Sequence, residues 1–179
     1  MLSVKAVDCP AFPVKQDISI PDYLGEWYEI SRDEWTAFEW FAECVTAHYT
    51  PRTDNSVGVQ NRQWSWWTFF SYYALDGYAQ CPTDEGACMV NFNGKNNKEP
   101  NYNVLLTDYT SYSIVYSCND GLWLGEYLWV LSREPTMDAD LYESLKNQVA
   151  EIIPWYNWDR QQMTVHDDTC EYEWNTSTK

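Results

Sequence analysis

The side chains of this sequence that could carry chemistry are six cysteines, two histidines and a dense set of aromatic rings. The cysteines fall at Cys9, Cys44, Cys81, Cys88, Cys118 and Cys170, with no Cys-x-x-Cys pair, and only His48 and His166 could complete a metal set. Zinc sites bring their ligands in close pairs, so a metal is a poor fit. An even number of dispersed cysteines reads instead as three disulfides formed in an oxidising compartment. Bridges closing loops of roughly 100 residues would each contribute about 4–5 kcal/mol on a chain-entropy account. Cys81 and Cys88 flank the turn-like PTDEGA, which suggests a staple across a hairpin, but spacing alone does not choose among the pairings. With every thiol oxidised no thiolate nucleophile is left, and no Ser-His-Asp spacing stands out.

The rings concentrate in RQWSWWTFFSYYAL, residues 62–75, where seven aromatics fall within residues 64–73. Such a stretch could be a membrane anchor, a buried strand or the wall of a binding site. It is too short to cross a bilayer, which needs ~18 or more apolar residues. Eleven Lys and Arg against 27 Asp and Glu, a net charge of −16, argue against nucleic acid and anionic lipid as partners. The opening MLSVKAVDCP carries Lys5 and Asp8 and lacks an apolar run long enough for a signal peptide, so a secreted form is expected to be a mature chain. Asn175-Thr176-Ser177 is a glycosylation sequon.

The elements that must position these groups are mostly strands. Short β-prone runs at 25–32, 44–52, 57–64, 73–81, 88–93, 102–109, 112–118 and 125–133 are separated by hairpin-sized links, which predicts an up-and-down antiparallel barrel or a sandwich. One helix follows. In DADLYESLKNQVAEIIP, Leu141, Leu145, Val149 and Ile152 share a face, Asp138 caps the start and Pro154 helps stop it. A length of 179 residues without repeat or linker reads as a single domain, 1–179.

Three motifs then carry a resemblance to the lipocalin family. LGEWYEISR resembles the family's G-x-W motif through Gly25 and Trp27; Thr107, Asp108 and Tyr109 match its T-D-Y; YLWVLSRE supplies the third motif through Arg133. Order, spacing and the late helix agree over nearly the whole chain. The resemblance is to the branch holding apolipoprotein D, bilin-binding protein, insecticyanin and the crustacyanin subunits. It implies an all-β, eight-stranded up-and-down antiparallel barrel with one C-terminal α-helix packed outside. It also implies the disulfides Cys9–Cys118 and Cys44–Cys170, leaving Cys81–Cys88 as the third. Trp27 and Arg133 would form a structural floor, guanidinium over indole.

Within that barrel, strand alternation assigns faces. Arg133 in the floor puts Leu131, Trp129 and Tyr127 inward, and a Cys118 tied to a segment outside the barrel puts Ser117, Val115 and Ser113 inward. Alignment with the branch places Tyr49, Asn61, Gln63 and Ser65 on the inner face and turns His48 out. The resemblance also rings the mouth with the aromatic links: Trp35, Phe38, Trp40 and Phe41; then Trp66, Trp67, Phe69 and Phe70; then Trp123. Trp64 is assigned to outward packing. Loops this apolar fit a pocket rim better than bare surface.

The function this implies is an extracellular carrier of a small hydrophobic conjugated ligand. Its ligand-binding residues would be Phe38, Tyr49, Asn61, Gln63, Trp66, Trp67, Phe69, Phe70, Val115, Ser117, Tyr127 and Trp129. A biliverdin-type tetrapyrrole comes first and a carotenoid or retinoid second, with Arg52, Arg62, Lys95 and Lys98 as cations for propionates and Asn61, Gln63 and Tyr127 as partners for a lactam. Alternatives are a lipid or fatty-acid carrier and an oligomeric storage protein. Less favoured are an enzyme using Asp33, Glu34 or Glu39, a heme binder ligated by His48, and an amine binder using Glu126 or Asp76.

Overall fold

A computed structural model describes residues 9–119 and 125–172, apart from the side chain of Trp67. Trp123 and the sequon Asn175 lie outside the described residues.

After a single helical turn, α1 (Ile20–Tyr23), the chain forms β1 (Gly25–Asp33), β2 (Ala42–Pro51), β3 (Val57–Ser65), β4 (Ser71–Gln80), β5 (Ala87–Phe92), β6 (Tyr102–Thr107), β7 (Tyr112–Cys118) and β8 (Glu126–Ser132). Each strand pairs antiparallel with the next, and β1 closes the sheet by pairing with both β2 and β8. The result is an eight-stranded up-and-down barrel with α2 (Ala139–Ile152) outside it. One element beyond that expectation is β9 (Gln161–Met163), which pairs with β1 along Ser31–Asp33, where β1 has parted from β2.

Alternation divides the apolar residues into two cores. Val59, Val90, Val104, Val115 and Leu131 pack inside the barrel with Trp27 and Tyr49. Their strand neighbours Ile114, Tyr116, Leu128 and Val130 face the other way, against Leu145, Val149 and Ile153 of the helical segment. Asp138 caps α2 by accepting from the amides of Asp140 and Leu141 at 3.0 and 3.1 Å, which satisfies two donors that the first helical turn leaves unpaired.

The floor is built around Trp27, whose exposure is zero. The Arg133 guanidinium stacks 3.7 Å from its ring centroid. Arg133 also donates to the carbonyls of Tyr109 (2.9 Å), Glu26 (2.6 Å), Asp22 (3.0 Å) and Tyr23 (3.3 Å). Gly25 adopts φ +95°, a conformation that favours glycine, and a Cβ there would stand 3.4 Å from the same guanidinium. In the T-D-Y turn, Asp108 accepts from the amides of Thr110, Ser111 and Tyr112. The motif residues of the sequence are thus mutually bonded supports for one end of the barrel.

Disulfides join Cys9 to Cys118, Cys44 to Cys170 and Cys81 to Cys88. The β2–β3 register shifts between Glu43 and Thr46, and Cys44 takes φ +53° there. Such a bulge re-aims a side chain, here toward the tail, where the Cys44 amide also donates to the Val165 carbonyl at 2.9 Å. His166 holds the same tail. Its Nε2 donates to the Glu29 carbonyl and its Nδ1 accepts from the Tyr172 hydroxyl, both at 2.8 Å.

Candidate ligand cavity

The barrel encloses a cavity of about 620 Å³. Its lower wall is apolar, with Val45, Val59, Val90, Val115 and Leu131. At the bottom, Tyr49 and Tyr23 each share a 2.9 Å hydrogen bond with the Tyr102 hydroxyl, and Tyr23 reaches Ser113 at 2.8 Å. Burial raises the pKa of Tyr23 to about 12 and those of Tyr49 and Tyr102 further, so these are neutral hydroxyls.

The upper cavity has two unlike sides. On one, Phe38, Tyr127 and Trp129 pack at ring-centroid distances of 5.8–6.5 Å, in tilted and edge-on arrangements that suit aromatic contact. On the other, Asn93, Lys95, Asn97 and Asn101 from the β5–β6 link reach the cavity. β5 and β6 pair only at Ala87–Asn103 and Cys88–Tyr102. Where that ladder ends, side chains replace it: Asn101 accepts from the Val90 amide at 2.7 Å, and Asn97 and Asn101 donate to the Val90 carbonyl at 2.7 and 3.0 Å. Asparagine in this link therefore both satisfies a strand edge and makes the mouth polar.

A buried carboxyl completes the wall. The chain makes a 3-10 turn, Ala37–Glu39, that leaves Phe38 63% exposed and turns Glu39 inward at 5%. Trp129 Nε1 donates to Glu39 Oε2 at 3.0 Å. Glu29, from β1, lines the same cavity and accepts from Arg32 Nη1 at 2.7 Å and Thr164 Oγ1 at 2.5 Å. Arg32 in turn donates to the Ala42 carbonyl at 3.0 Å. Burial, with the neighbouring Glu29 adding to it, pushes the Glu39 carboxyl up to about 8 against the smaller opposing pull of Trp129 and Arg32.

Eight of the residues assigned to ligand contact from the sequence stand in this wall: Phe38, Tyr49, Asn61, Gln63, Val115, Ser117, Tyr127 and Trp129. Trp66, Phe69 and Phe70 do not. They sit at the tip of the β3–β4 hairpin, 42%, 93% and 72% exposed, with Trp66 against Phe41 at 5.6 Å and Phe70 against Trp64 at 5.9 Å. The reason is local: β3 and β4 stay paired up to Ser65–Ser71, and Phe69 and Phe70 both take left-handed φ near +56° to reverse the chain. The side chain of Trp67 lies outside the described residues.

Of the four expected cations only Lys95 reaches the cavity. Arg62 stacks over Tyr72 at 3.6 Å and donates to the Glu171 carbonyl, and Arg52 pairs with Asp54 on the surface. Glu126 and Asp33 are buried elsewhere, bound to Arg160 at 2.5 and 3.0 Å beneath the helical segment, and Asp76 is exposed and bonded to Gln60. His48 does not line the cavity. Among the described residues no group of three or more His, Cys, Asp or Glu is placed to hold a metal, and no helix is long and apolar enough to cross a membrane. Residues not singled out beforehand include Glu29, Tyr73, Tyr102 and the asparagines. For Glu29 a signal existed, since it lies two residues from Trp27 on the inner face of β1.

The family model described as a lipocalin-like domain matches residues 18–166. Apolipoprotein D of Bos taurus is 29% identical over 161 residues, covering 89% of this chain and 82% of that one. Apolipoprotein D of Oryctolagus cuniculus is 30% identical over 163 residues with the same coverage. Among solved structures, insecticyanin from the tobacco hornworm Manduca sexta matches with a TM-score of 0.78 at 20% identity, covering 92% of this chain and 90% of that one. Lobster apocrustacyanin A1 matches at 0.69 and 16% identity, covering 89% and 92%. Those two likenesses speak for the fold. With the matched domain spanning every barrel strand and the whole cavity, the chain belongs to the lipocalin family, whose members are generally binding and carrier proteins.

Proposed function

We propose that the protein is an extracellular single-domain carrier for a small, flat, conjugated hydrophobic molecule, with a biliverdin-type tetrapyrrole first and a carotenoid or retinoid second. The observation that carries this reading is the 620 Å³ cavity, with an aromatic side formed by Phe38, Tyr127 and Trp129 above an apolar lower wall. Ligand pockets have this size and this ratio of apolar wall to a few placed polar groups. Rings already fixed against one another meet a conjugated plane at little entropic cost. Asn61, Gln63 and Lys95 line the cavity, and in this reading the two amides would meet a lactam and the lysine a propionate. Three disulfides favour an oxidising, extracellular setting.

The test is an absorption spectrum of protein purified from its native source. Paired bands in the near ultraviolet and the red support a bilin, and a structured visible band supports a carotenoid. Protein absorbance alone, together with failure to bind added biliverdin or retinoid, refutes the reading. A lipid or fatty-acid carrier is the second reading, favoured by relatives named as apolipoproteins. A third, an oligomeric storage protein, draws on the exposed Phe41, Trp66, Phe69 and Phe70. Light scattering at several concentrations, with and without ligand, tests it.

A further inference from the structure

The cavity's charge balance says more about what it selects. Glu29 is compensated, because Arg32 and Thr164 hold the same carboxyl oxygen. Arg32 is spent as well, on Glu29, Thr164 and the Ala42 carbonyl. Glu39 has no such counter-ion. It accepts from the neutral indole N–H of Trp129, and its carboxyl shares a hydrogen bond with a second acid, Glu29. Groups facing it are Glu29 and Arg32 from β1 and Trp129 from β8; Tyr49 of β2 and Lys95 of the β5–β6 link line the same cavity. A second, independent feature lies in this wall: Asn61 Oδ1 is fully buried and has no hydrogen-bond partner among the described residues. An unpaired buried acceptor costs about 1–3 kcal/mol. Asn61 therefore lacks a donor, and Glu39 is kept neutral only beside a second acid, so this wall favours a ligand that brings donors.

We propose that Glu39 is the specificity-determining anchor of the cavity and selects ligands presenting a nitrogen-borne proton, an ammonium or a protonated ring nitrogen, over ligands of equal size that end in a carboxylate. The proposal rests on the carrier reading above and deepens it, since bilin ring nitrogens belong to the favoured class and fatty acids to the disfavoured one. In the empty cavity Glu39 carries its own proton. A cationic nitrogen beside it displaces that proton to solvent and forms a charge-assisted pair shielded from water. A carboxylate in the same place would meet two acids.

The test compares dodecylamine, dodecanol and dodecanoate for displacement of a fluorescent apolar probe, at high salt to screen the −16 surface charge. The amine should bind at least about tenfold more tightly than dodecanoate, the scale of a hydrogen bond to a charged group. Glu39→Gln, which still accepts from Trp129 through its amide oxygen, should abolish that preference. Because burial and Glu29 hold the carboxyl well above the usual carboxylate range, wild-type affinity for the amine should rise at least about tenfold from pH 6 to pH 8, following the ionised fraction, while dodecanol stays level. Equal binding of amine and dodecanoate, a preference surviving in Glu39→Gln, or a flat pH profile for the amine each overturn the proposal. The pH profile needs no variant and stands if Glu39→Gln fails to fold. If none of the three chains displaces the probe, the carrier reading itself falls.

Discussion

Replacing Arg133 with alanine should cost about 3 kcal/mol of folding stability and leave ligand affinity intact. The side chain makes four hydrogen bonds to carbonyls and covers the Trp27 ring at 3.7 Å. A guanidinium over an indole contributes roughly 0.5–2 kcal/mol. Bonds from a charged donor contribute about 1.5–3 kcal/mol each, but they are not additive here. Arg133 is only half-buried, so water recovers several of the carbonyls on truncation, and the Tyr23 carbonyl keeps its bond from Trp27 Nε1 at 2.9 Å. The net of one such bond and the stacking is about 3 kcal/mol. For a chain of this size that lowers Tm by about 6–12 °C. Arg133→Lys keeps the charge but loses the fork, and should fall between alanine and wild type. Urea unfolding followed by tryptophan fluorescence gives the difference, with the m-value unchanged if only stability moves. A loss below about 0.5 kcal/mol, the size of an ordinary surface substitution, would refute the floor assignment.

Glu39→Gln should stabilise the ligand-free protein as pH rises. The folded carboxyl, near 8, lies above its unfolded value, so its stabilising contribution is present below pH 4.5 and is lost as pH climbs through 8; the gain is on the order of 3 kcal/mol at pH 7 and vanishes near pH 4.5 by urea titration. For His166 burial lowers the pKa, so the imidazole's contribution is lost as pH falls below about 6.5, its unperturbed value, and proteolysis of the C-terminal tail should accelerate there. Phe38→Ala should weaken binding of a conjugated ligand with little change in Tm, whereas Phe69→Ala and Phe70→Ala together should leave affinity unchanged, as read by fluorescence titration. Removing Cys44–Cys170, which closes 126 residues, should destabilise by about 5 kcal/mol on the chain-entropy account, against about 2.5 kcal/mol for Cys81–Cys88, which closes 7; chemical denaturation of paired serine variants gives the order.

The barrel was legible because alternation is a local property. Once Arg133 is tied to the floor, the parity of Tyr127, Trp129 and Leu131 follows without knowledge of any other strand, and they line the cavity. The aromatic run at 62–75 shows where that reasoning stops. Its residues up to Ser65 follow strand parity, but the direction of the hairpin tip depends on left-handed backbone at Phe69 and Phe70, residues whose types give no hint of it. The burial of Glu39 was hidden for a related reason: a 3-10 turn inside a link has no period, and the groups that meet its carboxyl, Trp129 of β8 and Arg32 and Glu29 of β1, lie on other elements. β9 depends on β1 having left β2 after Tyr28, a long-range event that three residues of QQM do not announce.

The two-faced strands also constrain how this protein can change over generations. Successive apolar residues of β7 and β8 alternate between the barrel interior and the face beneath α2, so a one-residue insertion would exchange the two roles along the rest of the strand. Such an event would place Tyr116 and Leu128 inside the barrel and Val115 and Trp129 under the helix. New ligand preferences in this lineage should therefore accumulate through substitutions at fixed strand positions. Changes of length should collect in the link at residues 66–70, whose described side chains do not line the cavity, rather than at 34–41 or 93–101, which supply part of its wall.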